Sequence, residues 1–67
     1  MEILSKRLKE LRTERGLTQK QLANTLGLAQ SSIANWEADT KTPSAQALII
    51  LSRYFGVTTD YLLGEQN

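Results

Sequence analysis

The sequence contains neither cysteine nor histidine. Without cysteine the chain can form no disulfide and offers zinc no thiolate ligand, and its composition is consistent with a reducing cytoplasm. Without histidine it lacks the side chain that most often transfers protons near neutral pH. It also has no Gly-rich phosphate loop and no pair of carboxylates set on one rigid face. We therefore predict that the chain is not an enzyme and has no catalytic residues, no metal site and no cofactor.

Long apolar runs are absent as well. The longest, Ala47–Leu51, is far shorter than the roughly 20 residues of a membrane span, and the first residues contain no signal-type apolar stretch. We therefore expect a cytoplasmic protein with no membrane partner. With 40% hydrophobic and 22% charged residues, the chain has the composition of a globular domain. Its 67 residues suffice for one domain at most, so we predict a single domain over residues 1–67.

Charge is distributed unevenly, although the formal net charge is only +1. Residues 1–27 hold six Lys or Arg and three acidic residues, whereas residues 28–67 hold two and four. A basic half can mark a phosphate-binding face, because Lys and Arg contacts dominate the affinity for nucleic acids. The alternative is a solvated helix face with no partner, and charge alone supports the two equally.

Apolar residues recur at helical spacing along most of the chain, separated by residues that start or stop helices. Thr18-Gln19-Lys20-Gln21 has the form of a capping box, Ser44 can cap a later helix, and a glycine follows four of the predicted helices. The residues predicted to form the core are Ile3, Leu4, Leu8, Leu11, Leu22, Ala23, Leu26, Ile33, Trp36, Leu48, Leu51 and Phe55. We predict five helices and no strand: Glu2–Arg15, Gln19–Leu26, Gln30–Ala38, Ala45–Phe55 and a short last helix opened by Thr58-Thr59-Asp60 and ending at Leu63.

The second and third predicted helices form the most informative unit, residues 18–37, with the sequence TQKQLANTLGLAQSSIANWE. Two short amphipathic helices that meet across a Gly-containing turn are the pattern of a helix-turn-helix. Such a unit needs a small residue where the helices touch, here Ala23, and a glycine at the turn, here Gly27. Leu28 and Ile33 are apolar and can hold the second helix against the first. The sequence therefore predicts a helix-turn-helix inside an all-α domain.

In this unit and beyond it, the sequence resembles the Cro and repressor class of helix-turn-helix proteins, which includes the bacterial Xre-like regulators. The similarity runs, in family order and at family spacing, through LRTERGLTQKQLANTLGLAQSSIANWE, Pro43-Ser44, ALIILSRYFGV and DYLLG. The resemblance implies an all-α, five-helix, lambda-repressor-like DNA-binding domain whose helix-turn-helix is formed by helices two and three. It also implies a transcriptional regulator that reads the major groove of double-stranded DNA with helix three. Repression is the expected sign, with activation left open.

The resemblance assigns DNA contacts to particular residues. The positions that match base-reading positions of the family are Gln30, Ser31, Ala34 and Asn35. The positions expected to contact the sugar-phosphate backbone are Gln19, Ser32, Lys41 and Thr42. The chemistry suits these roles, because Gln and Asn amides can bond bidentately to adenine and an alanine methyl can meet the thymine methyl. Without the family pattern, the same side chains would be interpreted as a solvated helix face.

The resemblance also implies an internal ion pair. The positions of Arg12, on helix one, and Glu37, at the end of helix three, are often joined in this family by a partly buried contact. We expect this pair here as part of the structure rather than of the DNA interface, and we expect Trp36 to pack in the core.

A dimer surface is predicted on helix four and the end of the chain. Ile50 stands where relatives often carry a polar residue, and Tyr54 lies one turn further along the same face. With Tyr61 and Leu63, this apolar surface predicts a homodimer, at least on DNA, that reads half-sites about 34 Å apart. The alternative is that Ile50 and Tyr54 only pack on the terminal helix of their own chain.

A second class of function remains open at this point. Helix-turn-helix folds also serve as protein-interaction modules and as antitoxins, whose main partner is another protein. The uneven charge and the polar third helix favour DNA over that alternative. No small-molecule ligand is inferred from the sequence.

Overall fold

The helices of the computed structural model begin and end close to the predicted positions. The structure describes residues 1–65, so residues 66 and 67 of the predicted domain lie outside the described part. The described residues form five helices and no strand: α1 (Glu2–Glu14), α2 (Gln19–Leu26), α3 (Gln30–Glu37), α4 (Ala45–Phe55) and α5 (Thr59–Leu63). The all-α, five-helix prediction is confirmed. Helix α1 ends one residue before its predicted boundary, because the N–H of Arg15 bonds to the carbonyl of Arg12, three residues earlier.

Hydroxyl side chains begin α2, α4 and α5. Thr18 Oγ1 accepts the N–H of Gln21 at 3.0 Å, while Gln21 Oε1 accepts the N–H of Thr18 at 2.9 Å, which completes the predicted capping box. The hydroxyl oxygens of Ser44 and Thr58 accept amide N–H groups in the first turns of α4 and α5. Each cap satisfies an amide that has no partner within its helix and typically contributes about 1 kcal/mol.

The turn between α2 and α3 depends on the backbone of Gly27. This residue has a φ of 69°, in the left-handed region that side chains disfavour. The N–H of the next residue, Leu28, bonds back to the carbonyl of Ala23 at 2.9 Å, which ends α2 and turns the chain toward α3. A β-carbon at Gly27 would have no heavy atom within 4 Å. The requirement for glycine therefore comes from the backbone conformation and not from lack of space.

Helix α3 also ends in a left-handed residue, but that residue is Asp39, with a φ of 59°. The N–H of Asp39 bonds to the carbonyl of Trp36, and the N–H of Thr40 bonds to the carbonyl of Asn35. This crossed pair of hydrogen bonds is the Schellman arrangement, in which glycine usually holds the left-handed position. Because the chain leaves the helix there, α3 ends at Glu37, one residue before its predicted boundary.

All five helices contribute to one core. Helix α1 packs on α3 and α5, α2 packs on α3 and α4, and α4 packs on α5. The buried apolar residues are Leu4, Leu8, Leu22, Ala23, Ile33, Trp36, Ala47, Leu51, Phe55 and Leu62. No described helix has both the length and the apolar character that crossing a membrane requires.

The prediction of Ile3 as a core residue is wrong, because its side chain is 46% exposed. The buried face of α1 is the row Leu4, Leu8 and Arg12, spaced four residues apart, with Ser5 beside it. Ile3 lies at the edge of that row, close to Gly64 at the end of α5. Of the remaining predicted core residues, three are half-buried against the core: Leu11, Leu26 and Leu48.

Candidate nucleic-acid interface

Helix α3 carries small and polar side chains on the side away from the core. Its buried side is formed by Ile33 and Trp36, which are 0% and 8% exposed. At 3.6 residues per turn, the side chains of Ser31, Ala34 and Asn35 lie on the opposite side. Together with Gln30 they form what we call the outer face of α3: Gln30, Ser31, Ala34 and Asn35. The first two are exposed and the last two are half-buried, whereas the neighbouring Ser32 is half-buried on the flank.

The loop after α3 is hydrogen-bonded to Asn35. The carbonyl of Asn35 accepts the N–H of Thr40 at 3.0 Å and the N–H of Lys41 at 3.5 Å. Thr40 Oγ1 lies 3.2 Å from that carbonyl and 3.0 Å from the side-chain Oδ1 of Asn35. Lys41 and Thr42 are exposed, and Pro43 behind them is buried. The hydrogen bonds to Asn35 therefore hold the backbone of Lys41 next to α3, and Thr42 follows it in the loop.

Arg12 and Glu37 form the ion pair expected from the resemblance. Arg12 Nε donates to Glu37 Oε2 at 2.6 Å, and Arg12 Nη2 donates to Glu37 Oε1 at 2.9 Å. The two side chains are only 11% and 5% exposed. Arg12 Nη1 also donates to the carbonyl of Leu17 at 2.6 Å, just before α2 begins. The hydrogen bond to Glu37 raises the pKa of Arg12 above its ordinary value, although burial acts in the opposite direction.

The same ion pair positions Gln19, the first residue of α2. Gln19 Nε2 donates to Glu37 Oε1 at 3.2 Å, so its side chain links the start of α2 to the end of α3. The amide groups of Gln19 and Lys20 lie in the first turn, where a helix offers N–H groups no internal partner. The start of α2 thus offers main-chain donors close to the C-terminal end of α3.

Lys20 is a candidate that the sequence prediction omits. It is exposed in the first turn of α2, directly after Gln19. A cation at a helix N-terminus is unfavourable for the helix, because it meets the positive end of the helix dipole. That unfavourable placement is the sequence feature that makes Lys20 a candidate for contact with an anion outside the fold.

Three arginines of the basic first half have partners inside the fold. Arg12 binds Glu37, as described above. Arg15 donates to the carbonyls of the last two residues of α4, at 3.2 and 3.3 Å. Arg7 donates to the carbonyl of Tyr61 in α5, and its guanidinium carbon lies 4.2 Å from the centre of that ring. These arginines bind groups of their own chain, so residues 1–27 cannot all belong to one phosphate-binding face. Besides Arg15, the exposed basic residues of this half are the lysines: Lys6, Lys9 and Lys20.

The four residues of the predicted dimer surface are half-buried: Ile50, Tyr54, Tyr61 and Leu63. The ring of Tyr54 packs edge-on against Phe55, with centroids 5.0 Å apart, so part of its surface is covered by its own chain. Ile49, which the sequence prediction omits, is the one large apolar residue of α4 that is exposed, at 43%. The described residues contain no group of three or more acidic, Cys or His side chains placed to hold a metal ion.

The chain is similar to known proteins over most of its length. The helix-turn-helix family model matches residues 8–62. The HTH-type transcriptional regulator ImmR of Bacillus subtilis is 44% identical over 62 residues, which are 92% of this chain and 49% of that protein. The HTH-type transcriptional activator BcrR of Enterococcus faecalis is 40% identical over 63 residues, 92% of this chain and 31% of that protein. The immunity repressor protein of Bacillus phage phi105 is 35% identical over 63 residues, 94% of this chain and 44% of that protein.

The chain spans about half the length of these relatives or less, so the comparison concerns one region of each of them. The family match, residues 8–62, contains all of α2 and α3, the outer face and the loop that is bonded to it. A match over most of the chain, together with the five-helix fold, shows that this chain belongs to the helix-turn-helix family, in its Cro and repressor (Xre-like) class.

Proposed function

We propose that the chain is the DNA-binding domain of a transcriptional regulator and that residues 1–67 act as one unit. In this proposal α3 enters the major groove of double-stranded DNA with its outer face toward the bases. The observation that carries the proposal is that two donor-bearing segments are hydrogen-bonded to the C-terminal end of α3. One is the start of α2, through Gln19, and the other is the loop that bears Lys41. A reading helix that is joined to phosphate donors in this way suits groove docking.

The base contacts are proposed for the outer face of α3. Gln30 and Asn35 carry carboxamides, which combine donors and an acceptor and can recognise the edge of a purine. Ser31 can donate to or accept from several bases, and the methyl group of Ala34 suits the methyl group of thymine. The structure supports this assignment, since these side chains lie away from the core.

The backbone contacts are proposed for Gln19, Ser32, Lys41 and Thr42. Gln19 is the best supported of these, because a carboxamide nitrogen carries two hydrogens and Glu37 accepts only one of them. The second hydrogen and the free main-chain N–H groups of the first turn of α2 can then bind one phosphate together. Lys41 adds a positive charge on the loop that follows α3.

A repressor is the proposed kind of regulator. Repression needs only that the domain occupy an operator overlapping a promoter, whereas activation needs a further surface that contacts the transcription machinery. Among the relatives, the phi105 protein is named a repressor and the Enterococcus protein an activator. We place the protein in the cytoplasm, where bacterial DNA is found, and propose no enzymatic activity.

A homodimer on DNA is proposed through α4 and α5. The half-buried apolar residues of the predicted surface retain accessible area, and the exposed Ile49 lies next to Ile50 on α4. A shallow depression lined by Gly56, Val57, Thr58 and Tyr61 lies at the same end of the fold. Sedimentation of the free domain and of its complex with an operator measures the stoichiometry. A 1:1 complex on a palindromic operator would overturn the dimer.

Selection of bound sequences from a random DNA pool tests the proposed function. We expect one sequence to be enriched, with two related half-sites. On that operator, Gln30→Ala and Ser31→Ala should each relax the preference at one base pair by about 1 to 3 kcal/mol, and Gln19→Ala should weaken all sequences alike. Thr13→Ala, on the exposed side of α1, is the control and should change neither quantity. The proposal fails if no sequence is enriched or if only salt-insensitive binding to a protein is found.

A further inference from the structure

We propose that Thr40 is a positioning residue for base recognition: its hydroxyl holds the carboxamide of Asn35 in one orientation and thereby sets which base Asn35 prefers. The inference rests on the proposed function, because it concerns the residue that would read a base. Thr40 itself lies outside α3, in the loop that follows, and is not one of the residues to which the resemblance assigns a contact.

The position of Thr40 is fixed by the backbone around it. Its N–H bonds to the carbonyl of Asn35 at 3.0 Å, and the residue before it, Asp39, is held in the left-handed conformation that closes α3. From this position Thr40 Oγ1 lies 3.0 Å from Asn35 Oδ1 and 3.2 Å from the carbonyl oxygen of Asn35. The loop therefore places a hydroxyl against a side chain of the outer face of α3.

The hydroxyl selects one end of the carboxamide. The terminal torsion of asparagine is broad and roughly two-fold, so an unrestrained carboxamide can present either its oxygen or its nitrogen. The Thr40 hydroxyl has one hydrogen, and Oδ1 is the nearer of its two acceptors. This contact holds the carboxamide oxygen against the loop, so the nitrogen, with its two hydrogens, is the end turned away from Thr40. Asn35 then meets a base chiefly as a donor.

An Asn35 whose carboxamide oxygen is held against the loop has a definite base preference. Guanine presents two acceptors, N7 and O6, in the major groove, whereas a bidentate contact with adenine needs the carboxamide oxygen to accept from N6. The geometry therefore points to guanine over adenine at the base that Asn35 reads. Loss of the Thr40 hydroxyl should free the oxygen and move the preference toward adenine.

The test compares Thr40→Val, which removes the hydroxyl at nearly constant shape, with Thr40→Ser, which keeps it. The base pair is identified first as the one at which Asn35→Ala loses discrimination. Binding is then measured on the selected operator and on its three substitutions at that pair. We expect Thr40→Val to lose roughly 5-fold or more of the guanine preference and Thr40→Ser to retain it. In the Asn35→Ala background, Thr40→Val should change discrimination no further.

Unchanged discrimination in Thr40→Val, or an equal loss of affinity on every sequence, would overturn the inference and leave Thr40 as a loop-closing residue only. A preference for adenine in the unmodified protein would overturn it as well. Because Thr40 is exposed, its variants should fold; Thr40→Ala gives the same test if the valine variant is unstable. If the unmodified protein enriches no sequence, the proposed function fails and this inference fails with it. If it does enrich one, the Thr40 variants test the inference alone.

Discussion

The guanidinium of Arg12 and the carboxylate of Glu37 lie almost out of solvent, with side chains 11% and 5% exposed. Glu37→Gln keeps the shape of the side chain but leaves the buried cation without an opposite charge. We expect the free energy of unfolding to fall by about 3 kcal/mol. Urea unfolding measures it, with Glu14→Gln at the exposed end of α1 as a control that should change by less than about 0.5 kcal/mol. Equal losses in the two variants would show that the pair has no special role.

The response of the Glu37→Gln variant to pH is a separate prediction. The pKa of Arg12 is raised on folding. A group whose pKa is raised on folding stabilises the protein fully below its unfolded pKa, and this stabilisation is lost only as the pH rises through its folded pKa. For arginine both values lie far above neutrality, so the Glu37→Gln deficit should be the same at about pH 7 and about pH 9. A buried lysine at position 12 can lose its proton, so it no longer needs an opposite charge. We therefore compare the free energy of unfolding of Arg12→Lys/Glu37→Gln with that of Arg12→Lys, and we expect this difference to shrink toward about pH 9. Urea unfolding at both pH values measures this, and an arginine deficit that shrinks equally would contradict the explanation.

At the scale of the helices, the end of α3 is less favourable than it could be. Asp39 adopts a left-handed φ of 59°, and its negative charge lies at the negative end of the helix dipole. Its ion pair with the amino group of Met1 is solvent-exposed and contributes little. Asp39→Gly should therefore raise the free energy of unfolding by about 0.5 to 1 kcal/mol.

The control for Asp39→Gly is Ala38→Gly, one residue earlier. Ala38 has a φ of −82°, which alanine adopts without strain, so glycine there should only lower the stability. Thermal unfolding of both variants measures the two changes in stability. If Asp39→Gly loses as much stability as Ala38→Gly, the prediction is wrong. The Asp39 side chain would then stabilise the end of α3 by more than its left-handed backbone conformation destabilises it.

The helices themselves were largely predictable, because the signals that start and stop them are local. The capping box at Thr18 and the glycine at Gly27 fixed both ends of α2, and the boundaries of α4 were predicted equally well. The end of α3 was missed by one residue, because a left-handed aspartate carries no sequence signal comparable to glycine. Ile3 was misplaced because helical spacing alone does not tell the centre of a buried face from its edge.

Interactions between helices were harder to predict from the sequence. Arg7 and Arg15 bond to carbonyl groups 54 and 39 residues away, respectively, and such pairs leave no periodic pattern in the chain. The Arg12–Glu37 pair was expected only because the family supplies it. The contact between Thr40 and Asn35 depends on how the chain leaves α3, which the sequence did not reveal. The roles of the outer face remain predictions, since they concern DNA rather than the fold.

For the whole molecule, the use of arginines inside the fold limits how strongly it can bind DNA of any sequence. Each neutralised phosphate releases counterions. The logarithm of the affinity therefore falls linearly with the logarithm of the salt concentration, and the slope is proportional to the number of such contacts. On the two segments that are hydrogen-bonded to the end of α3, the basic side chains are Lys20 and Lys41, both exposed. We therefore expect the domain to bind nonspecific DNA weakly and to gain most of its affinity from the proposed base contacts and the proposed pairing of two domains on one operator.

This charge distribution predicts the salt dependence of binding. If Lys20 and Lys41 each neutralise one phosphate, the plot of log affinity against log salt should have a slope of about −2 per domain, and Lys20→Gln or Lys41→Gln should each reduce its magnitude by about 1. Lys6→Gln is the matched control, since Lys6 is exposed on the side of α1 away from the buried Leu4 and Leu8. Titrations of one operator at several salt concentrations give all four slopes. An equal change in the Lys6 variant would mean that the affinity follows net charge, and the proposed contacts of Lys20 and Lys41 with phosphates would then be wrong.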